Sequence, residues 1–67
     1  MSAVEMLVDE RGDLLRAAVR SESGTVDLSL WRDDRCRATF RLDATDAARL
    51  AHLLVTALAE RHDPPAA

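Results

Sequence analysis

The sequence predicts an α+β fold in which a four-stranded antiparallel meander precedes one C-terminal helix packed on one face of the sheet (ββββα). The segment Arg35–Leu42 alternates polar with apolar side chains, which is the period of a half-buried strand. Asp43 follows at once in the position of a helix N-cap, and an alanine- and leucine-rich segment then runs from Ala44 to about Arg61. Strand and helix are therefore joined almost without a loop.

Three earlier segments show the same alternation and complete the sheet. They are Val4–Val8, Leu15–Arg20 and Val26–Trp31. Polar and glycine-containing clusters at residues 10–13, 21–24 and 33–34 separate the four strands as turns. We predict a single domain over residues 1–63 and a disordered C-terminal tail over residues 64–67, which opens with two prolines.

Chain length and composition limit the class of protein. A chain of 67 residues buries only about 60% of its unfolded surface, so a second subunit is the expected route to stability. One cysteine cannot form an internal disulfide, and no run of about 18 apolar residues predicts a membrane span. We expect a cytoplasmic protein that does not bind a membrane.

Compatible cross-strand pairs predict the register of the sheet, because residues directly opposite each other share a face. Leu7 is expected opposite Arg16, with Glu5 on that same face. The third hairpin is expected to have a longer or bulged turn at residues 33–35, because a strict two-residue loop would set an apolar side chain against a charged one. Cys36 is assigned to the apolar core.

The same register predicts a basic face on the sheet. It sets Arg20 opposite Asp27 and Trp31 opposite Arg37. The candidate ligand-binding residues on this face are Arg16, Arg20, Trp31, Arg37 and Arg41. Set against two acidic side chains, the face carries roughly two positive charges, although the whole chain has a formal net charge of -3.

Two structural alternatives apply to these residues. Trp31 between two arginines is a candidate stacking platform for a base, but cation–π pairs across strands are also ordinary sheet stabilisation. Arg20, Asp27 and Arg41 likewise form either part of a binding surface or a self-satisfied charge triad. The sequence leaves both alternatives open.

The helix is more apolar than one sheet face requires. A narrow polar stripe lies opposite an apolar arc that is expected to cover the sheet, and further apolar residues extend this surface to about two-thirds of the circumference. The stripe consists of Arg49, His52, Thr56 and Glu60; the arc consists of Ala47, Leu50, Ala51, Leu54 and Leu58. The surplus predicts a homodimer. Its predicted interface residues are Leu50, Leu53, Val55 and Ala57.

The order of elements resembles the PC4-like transcriptional coactivators and their small bacterial relatives. The resemblance rests on four meandering strands and on the strand that enters the helix as Phe40-Arg41-Leu42-Asp43-Ala44-Thr45-Asp46-Ala47-Ala48-Arg49-Leu50. Trp31, Arg37 and Arg41 fall where such proteins place ligand-contacting residues on the sheet. The resemblance implies a homodimer that binds single-stranded nucleic acid and acts in transcription or repair.

Two classes of function follow. In the first, the basic face binds single-stranded nucleic acid, with arginines on phosphates and Trp31 against a base. In the second, the protein is a dimeric adaptor or regulatory accessory that binds an acidic protein partner through the same surface. The sequence shows no nucleophile–base pair, glycine-rich phosphate loop or metal-ligand spacing, so we expect no enzyme activity, no cofactor and no metal.

Overall fold

Four antiparallel strands form one open sheet, and a single helix follows the last strand. The structure is a computed structural model that describes residues 3–62. The elements are β1 (Val4–Val8), β2 (Leu14–Arg20), β3 (Thr25–Arg32), β4 (Arg35–Leu42) and α1 (Ala44–His62), with the strands in the order β1-β2-β3-β4. The predicted ββββα arrangement is confirmed. The predicted tail at residues 64–67 lies outside the described residues.

The first hairpin closes through the five residues 9–13 between β1 and β2. The Asp9 carboxylate accepts hydrogen bonds from the backbone N–H groups of Arg11 (2.8 Å) and Asp13 (3.0 Å), and Gly12 takes a left-handed φ of 87°. This loop pairs Leu7 with Leu15, so the predicted pairing of Leu7 with Arg16 is wrong by one residue.

A one-residue slip exchanges the two faces of β1. Val4, Met6 and Val8 share the face of Arg16, whereas Glu5 lies on the opposite, apolar side. The prediction that Glu5 lies on the basic face is therefore wrong.

The second hairpin has a four-residue loop at residues 21–24. The Arg20 carbonyl accepts hydrogen bonds from the N–H groups of Ser23 (3.3 Å) and Gly24 (2.8 Å), and Gly24 has a φ of 71°. Arg20 consequently pairs with Thr25 instead of Asp27. The predicted register is wrong by two residues, a shift that leaves every side chain of β2 and β3 on its predicted face.

The third hairpin combines a tight turn with a bulge. Asp33 and Asp34 have φ values of 54° and 62°, as in a two-residue turn with both central residues left-handed. The register shifts between Leu30 and Trp31, and Arg37 is the extra residue on β4. The prediction of a longer or bulged turn at residues 33–35 is wrong, because the turn itself is tight and the extra residue lies in β4 beyond it.

The bulge changes the partners at this end of the sheet. Trp31 lies opposite Cys36, so the predicted pair of Trp31 with Arg37 is wrong. Cys36 is exposed and does not belong to an apolar core, contrary to its predicted position. Beyond the bulge, Asp27 pairs with Arg41 as predicted.

The helix begins at the predicted cap and then leaves the sheet. The Asp43 carboxylate accepts a hydrogen bond from the N–H of Asp46 (2.7 Å), and its carbonyl accepts one from the N–H of Ala47 (2.8 Å). The helix approaches β3 and β4 alone, and Ala47 is its one half-buried side chain through residue 61. Helix packing on the sheet is therefore smaller than the apolar arc predicts, because the single residue Asp43 leaves little chain to reverse direction over the sheet.

Residues 3–61 of the single chain form no closed hydrophobic core. No side chain from residue 3 to residue 61 is buried. The radius of gyration is 14.7 Å, against about 11 Å expected for a compact chain of this length. An isolated chain thus leaves the apolar surfaces of both the sheet and the helix open.

Candidate ligand-binding face of the sheet

The observed register defines a polar face on the sheet. Its three central cross-strand rows are Val8–Leu14–Trp31–Cys36, Met6–Arg16–Ser29–Thr39 and Val4–Ala18–Asp27–Arg41. Arg20 continues this face one position along β2. Three arginines against one aspartate leave the polar face with a formal charge of about two positive units.

Asp27 holds two of the three arginines. Its carboxylate oxygens accept hydrogen bonds from the Nε–H groups of Arg20 (2.6 Å) and Arg41 (2.8 Å). The hydrogen bond from Arg20, followed by the one from Arg41, holds the pKa of Asp27 below its usual value, and the same contact raises the pKa of Arg20. Asp27 is therefore the shared anchor of a charge triad, as the structural alternative from the sequence proposes.

The anchoring leaves part of each guanidinium for a ligand. An arginine has five N–H donors, and the contacts with Asp27 use the single Nε–H of each side chain. Arg20 and Arg41 are 54% and 66% exposed, which keeps their terminal amino groups within reach of solvent. The triad thus fixes two guanidinium planes without enclosing them.

Arg16 supplies a third positive group at the centre of the sheet. It lies directly opposite Ser29, is half-buried, and forms no ion pair with another described side chain. With Asp27, Ser29, Thr39 and Arg41 it lines a shallow depression. Guanidinium and hydroxyl groups are among the side-chain donors that proteins present to phosphate oxygens.

Ser29 and Thr39 are site residues that the sequence analysis did not select. They pair directly across β3 and β4 and separate Arg16 from Arg41. Their signal was present in the sequence, because small hydroxyl residues occupy polar positions of two alternating strands.

Trp31 lies in an apolar part of the polar face. It shares its row with Val8 and Leu14, and its Nε1–H donates a hydrogen bond to Ser29 Oγ (2.9 Å). The side chain is half-buried and is not placed between two arginines. Trp31 therefore packs at one end of the face, and only the accessible part of its ring is open to a ligand.

Arg37 is set apart from the other arginines by the bulge. It lines a depression at the end of the sheet together with Trp31, Leu30, Asp13 and Arg32. There Asp13 accepts two hydrogen bonds from Arg32, both 2.7 Å long. Of the five predicted ligand-binding residues, the structure brings together Arg16, Arg20 and Arg41 in one charged cluster and leaves Arg37 outside it.

The four predicted interface residues on α1 are all exposed. At about 100° per residue, Leu50, Leu53 and Ala57 lie along one side of the helix and Val55 lies on another. Leu53 and Val55 are 62% and 64% exposed. Both sides of the helix therefore present apolar surface to solvent.

Residues 3–62 offer neither a metal centre nor a membrane-spanning helix. No three histidine, cysteine, aspartate or glutamate side chains in this range lie close enough together to hold a metal ion. No helix within it has the length and apolar content needed to cross a membrane. Comparison with protein-family models, with curated proteins and with solved structures finds no significant match.

Proposed function

We propose that the chain is a small, non-enzymatic, homodimeric module that binds single-stranded nucleic acid through its polar face, in a cytoplasmic, transcription-related role. The observation that carries the proposal is the pair of arginines that Asp27 anchors through Nε–H while their terminal amino groups face solvent. The PC4-like resemblance of the element order supports the same ligand.

Charge distribution supports an anionic ligand. The acidic residues that lower the net charge to -3 lie largely in the turns and on the helix. Two of them, Asp33 and Asp34, line a depression beside Trp31 at one end of the polar face, away from the three arginines. Three arginines and two hydroxyl residues on neighbouring strands offer donors to successive phosphates. An open sheet also suits an unpaired strand, whose bases are free to rest against the accessible part of Trp31.

The test is a titration with a single-stranded oligonucleotide, followed through the fluorescence of Trp31, the only tryptophan of the chain. Three phosphate contacts per chain predict a slope of about -2 in log K against log salt, or roughly 20-fold weaker binding at 200 mM than at 50 mM salt. No binding at about 50 mM salt and micromolar protein would contradict the proposal.

A matched pair of variants separates the polar face from general charge effects. Arg16→Ala removes a guanidinium from the central depression, whereas Arg35→Ala removes one from the start of β4, away from that depression. We expect Arg16→Ala to weaken binding and to reduce the salt slope by about 0.7, and Arg35→Ala to change neither by as much. Equal effects of the two variants would show that the polar face is not the binding surface.

A dimeric adaptor for an acidic protein is the second candidate, and β1 favours it. Val4, Met6 and Val8 are 46%, 60% and 66% exposed and continue the polar face beside Arg16. Methionine and arginine are enriched at protein–protein interfaces. Competition distinguishes the candidates: an acidic polypeptide that displaces the oligonucleotide and binds with little salt dependence would favour the adaptor.

A further inference from the structure

Two apolar surfaces of the same chain lack a partner. One is the apolar face of the sheet, whose side chains alternate with those of the polar face; its members include Leu7, Leu15, Val19, Leu28, Leu30 and Phe40. Phe40 is 63% exposed and Leu30 is 47% exposed on it. The other surface is α1, where Leu54 and Leu58 are 53% and 54% exposed.

The exposed area matches what a dimer would remove. The chain has an accessible surface of 5872 Å², whereas a folded monomer of this mass exposes about 4,200 Å², so the excess is roughly 1,000 to 2,000 Å². Two copies together would bury about 2,000 to 4,000 Å², which is the range of obligate homodimers. A second copy of the chain, which exposes the same excess area, is therefore large enough to cover the excess area of the first.

The two surfaces also match each other in length. A helix of 19 residues is about 28 Å long. Strands of eight residues, such as β3 and β4, extend about 26 Å. In one chain the helix leaves the sheet after the single residue Asp43, so it does not lie along its own apolar face.

We propose that the dimer forms by reciprocal exchange of helices, each α1 lying on the apolar sheet face of a second copy of the chain. One helix side then contacts the partner's sheet, and the remaining apolar side is available to the partner's helix near the two-fold axis. The polar faces of both sheets remain outside, which doubles the ligand-binding surface. The inference rests on the homodimer of the proposed function and adds its geometry.

Disulfide trapping tests the exchange. In a chain whose native thiol is removed by Cys36→Ser, Phe40→Cys is combined in turn with Leu50→Cys, Leu54→Cys and Leu58→Cys, and each protein is oxidised mildly. The matched control replaces Phe40→Cys by Thr39→Cys, which lies on the polar face next to it. Variants that carry only one of the two cysteines serve as a further control, because any disulfide dimer they form must join the same position in both chains.

Helix exchange predicts that at least one Phe40 combination moves most of the protein to twice the chain mass of 7.4 kDa on a non-reducing gel, while the Thr39 controls do not. A bridged species at the single-chain mass would place the helix on its own sheet and overturn the proposal. A dimer by light scattering without any such bridge would overturn the exchange but leave the homodimer intact. A monomer at micromolar concentration would overturn both the homodimer and the helix exchange. Successful trapping together with a failed oligonucleotide titration would overturn only the proposal that the chain binds nucleic acid.

Discussion

At the scale of single residues, Asp27 decides how the arginines of the polar face are presented. A free arginine loses rotamer entropy when it binds an anion, whereas a guanidinium already held through Nε–H has lost part of it beforehand. Asp27 also cancels one of the positive charges. The triad therefore attracts an anionic ligand less strongly than free arginines would, but it holds the guanidinium groups in a fixed orientation. Lysine cannot reproduce this arrangement, because its ammonium has neither the second attachment point nor the planar fork.

Arg41→Lys tests whether orientation matters for binding. The variant keeps the charge, so the salt slope should stay unchanged, but it loses the anchored fork and should bind the oligonucleotide about tenfold more weakly, which is about 1.4 kcal/mol. Fluorescence titrations at several salt concentrations measure both quantities. Arg35→Lys is the control. An affinity equal to that of the wild type would mean that Arg41 acts only as a point charge.

Asp13 and Arg32 give the fold a dependence on pH. The hydrogen bonds from Arg32 hold the pKa of Asp13 below its usual value of 3.8. Because the folded-state pKa is the lower one, the stabilisation is present above the unfolded value and is lost as the pH falls through the folded value. The pair joins the residue just before β2 to the end of β3, so its loss should loosen that end of the sheet.

Asp13→Asn should therefore lower the Tm near neutral pH. The difference from the wild type should begin to shrink as the pH drops below about 3.8, where the unfolded chain takes up a proton, and should vanish only below the lower folded-state pKa, where the carboxylate of the folded protein is neutral as well. Thermal unfolding followed by circular dichroism over a series of acidic buffers measures this difference. Glu10→Gln, in the same loop, serves as the control. A Tm difference that stays constant down to the lowest pH would contradict the role of the Asp13 carboxylate.

At the scale of elements, the periodicity of apolar residues predicts the four strands and the helix well. It predicts the register between neighbouring strands less well. The faces of β2 and β3 are as predicted although their register is wrong by two, because a two-residue shift preserves the alternation. The face of β1 is wrong because Val4, Met6, Leu7 and Val8 leave apolar residues on both sides of this strand. The error at Trp31 arises from the bulge, since periodicity alone does not locate an extra residue.

The turn between β3 and β4 carries conformational strain that substitution should relieve. Asp33 and Asp34 both have positive φ, which asparagine and glycine adopt more readily in this type of turn. Asp33→Asn combined with Asp34→Gly should stabilise the fold by about 0.5–1 kcal/mol, less than the full cost of two left-handed residues because glycine makes the unfolded chain more flexible. A lower Tm for the double variant than for the wild type would contradict this account of the turn.

At the scale of the whole molecule, the proposed dimer uses different surfaces for stability and for ligand binding. The apolar sheet face and the helix supply the area that a second copy would bury, while the polar face stays outside with its three arginines. Substitutions on the polar face should therefore change binding with little effect on assembly. Substitutions on the helix should change assembly first and binding only as a consequence.

If folding depends on the second copy, the Tm should rise with protein concentration. Each tenfold dilution should lower the apparent free energy of unfolding by about 1.4 kcal/mol, because the dimer dissociates as it unfolds. Leu54→Asp places a charge in the apolar arc of α1 and should lower the Tm at every concentration, whereas Thr56→Asp, on the polar stripe, should change it little. Calorimetry from about 10 to 1,000 μM measures the trend. A Tm that is independent of concentration, with equal effects of the two variants, would mean that the single chain folds without a partner.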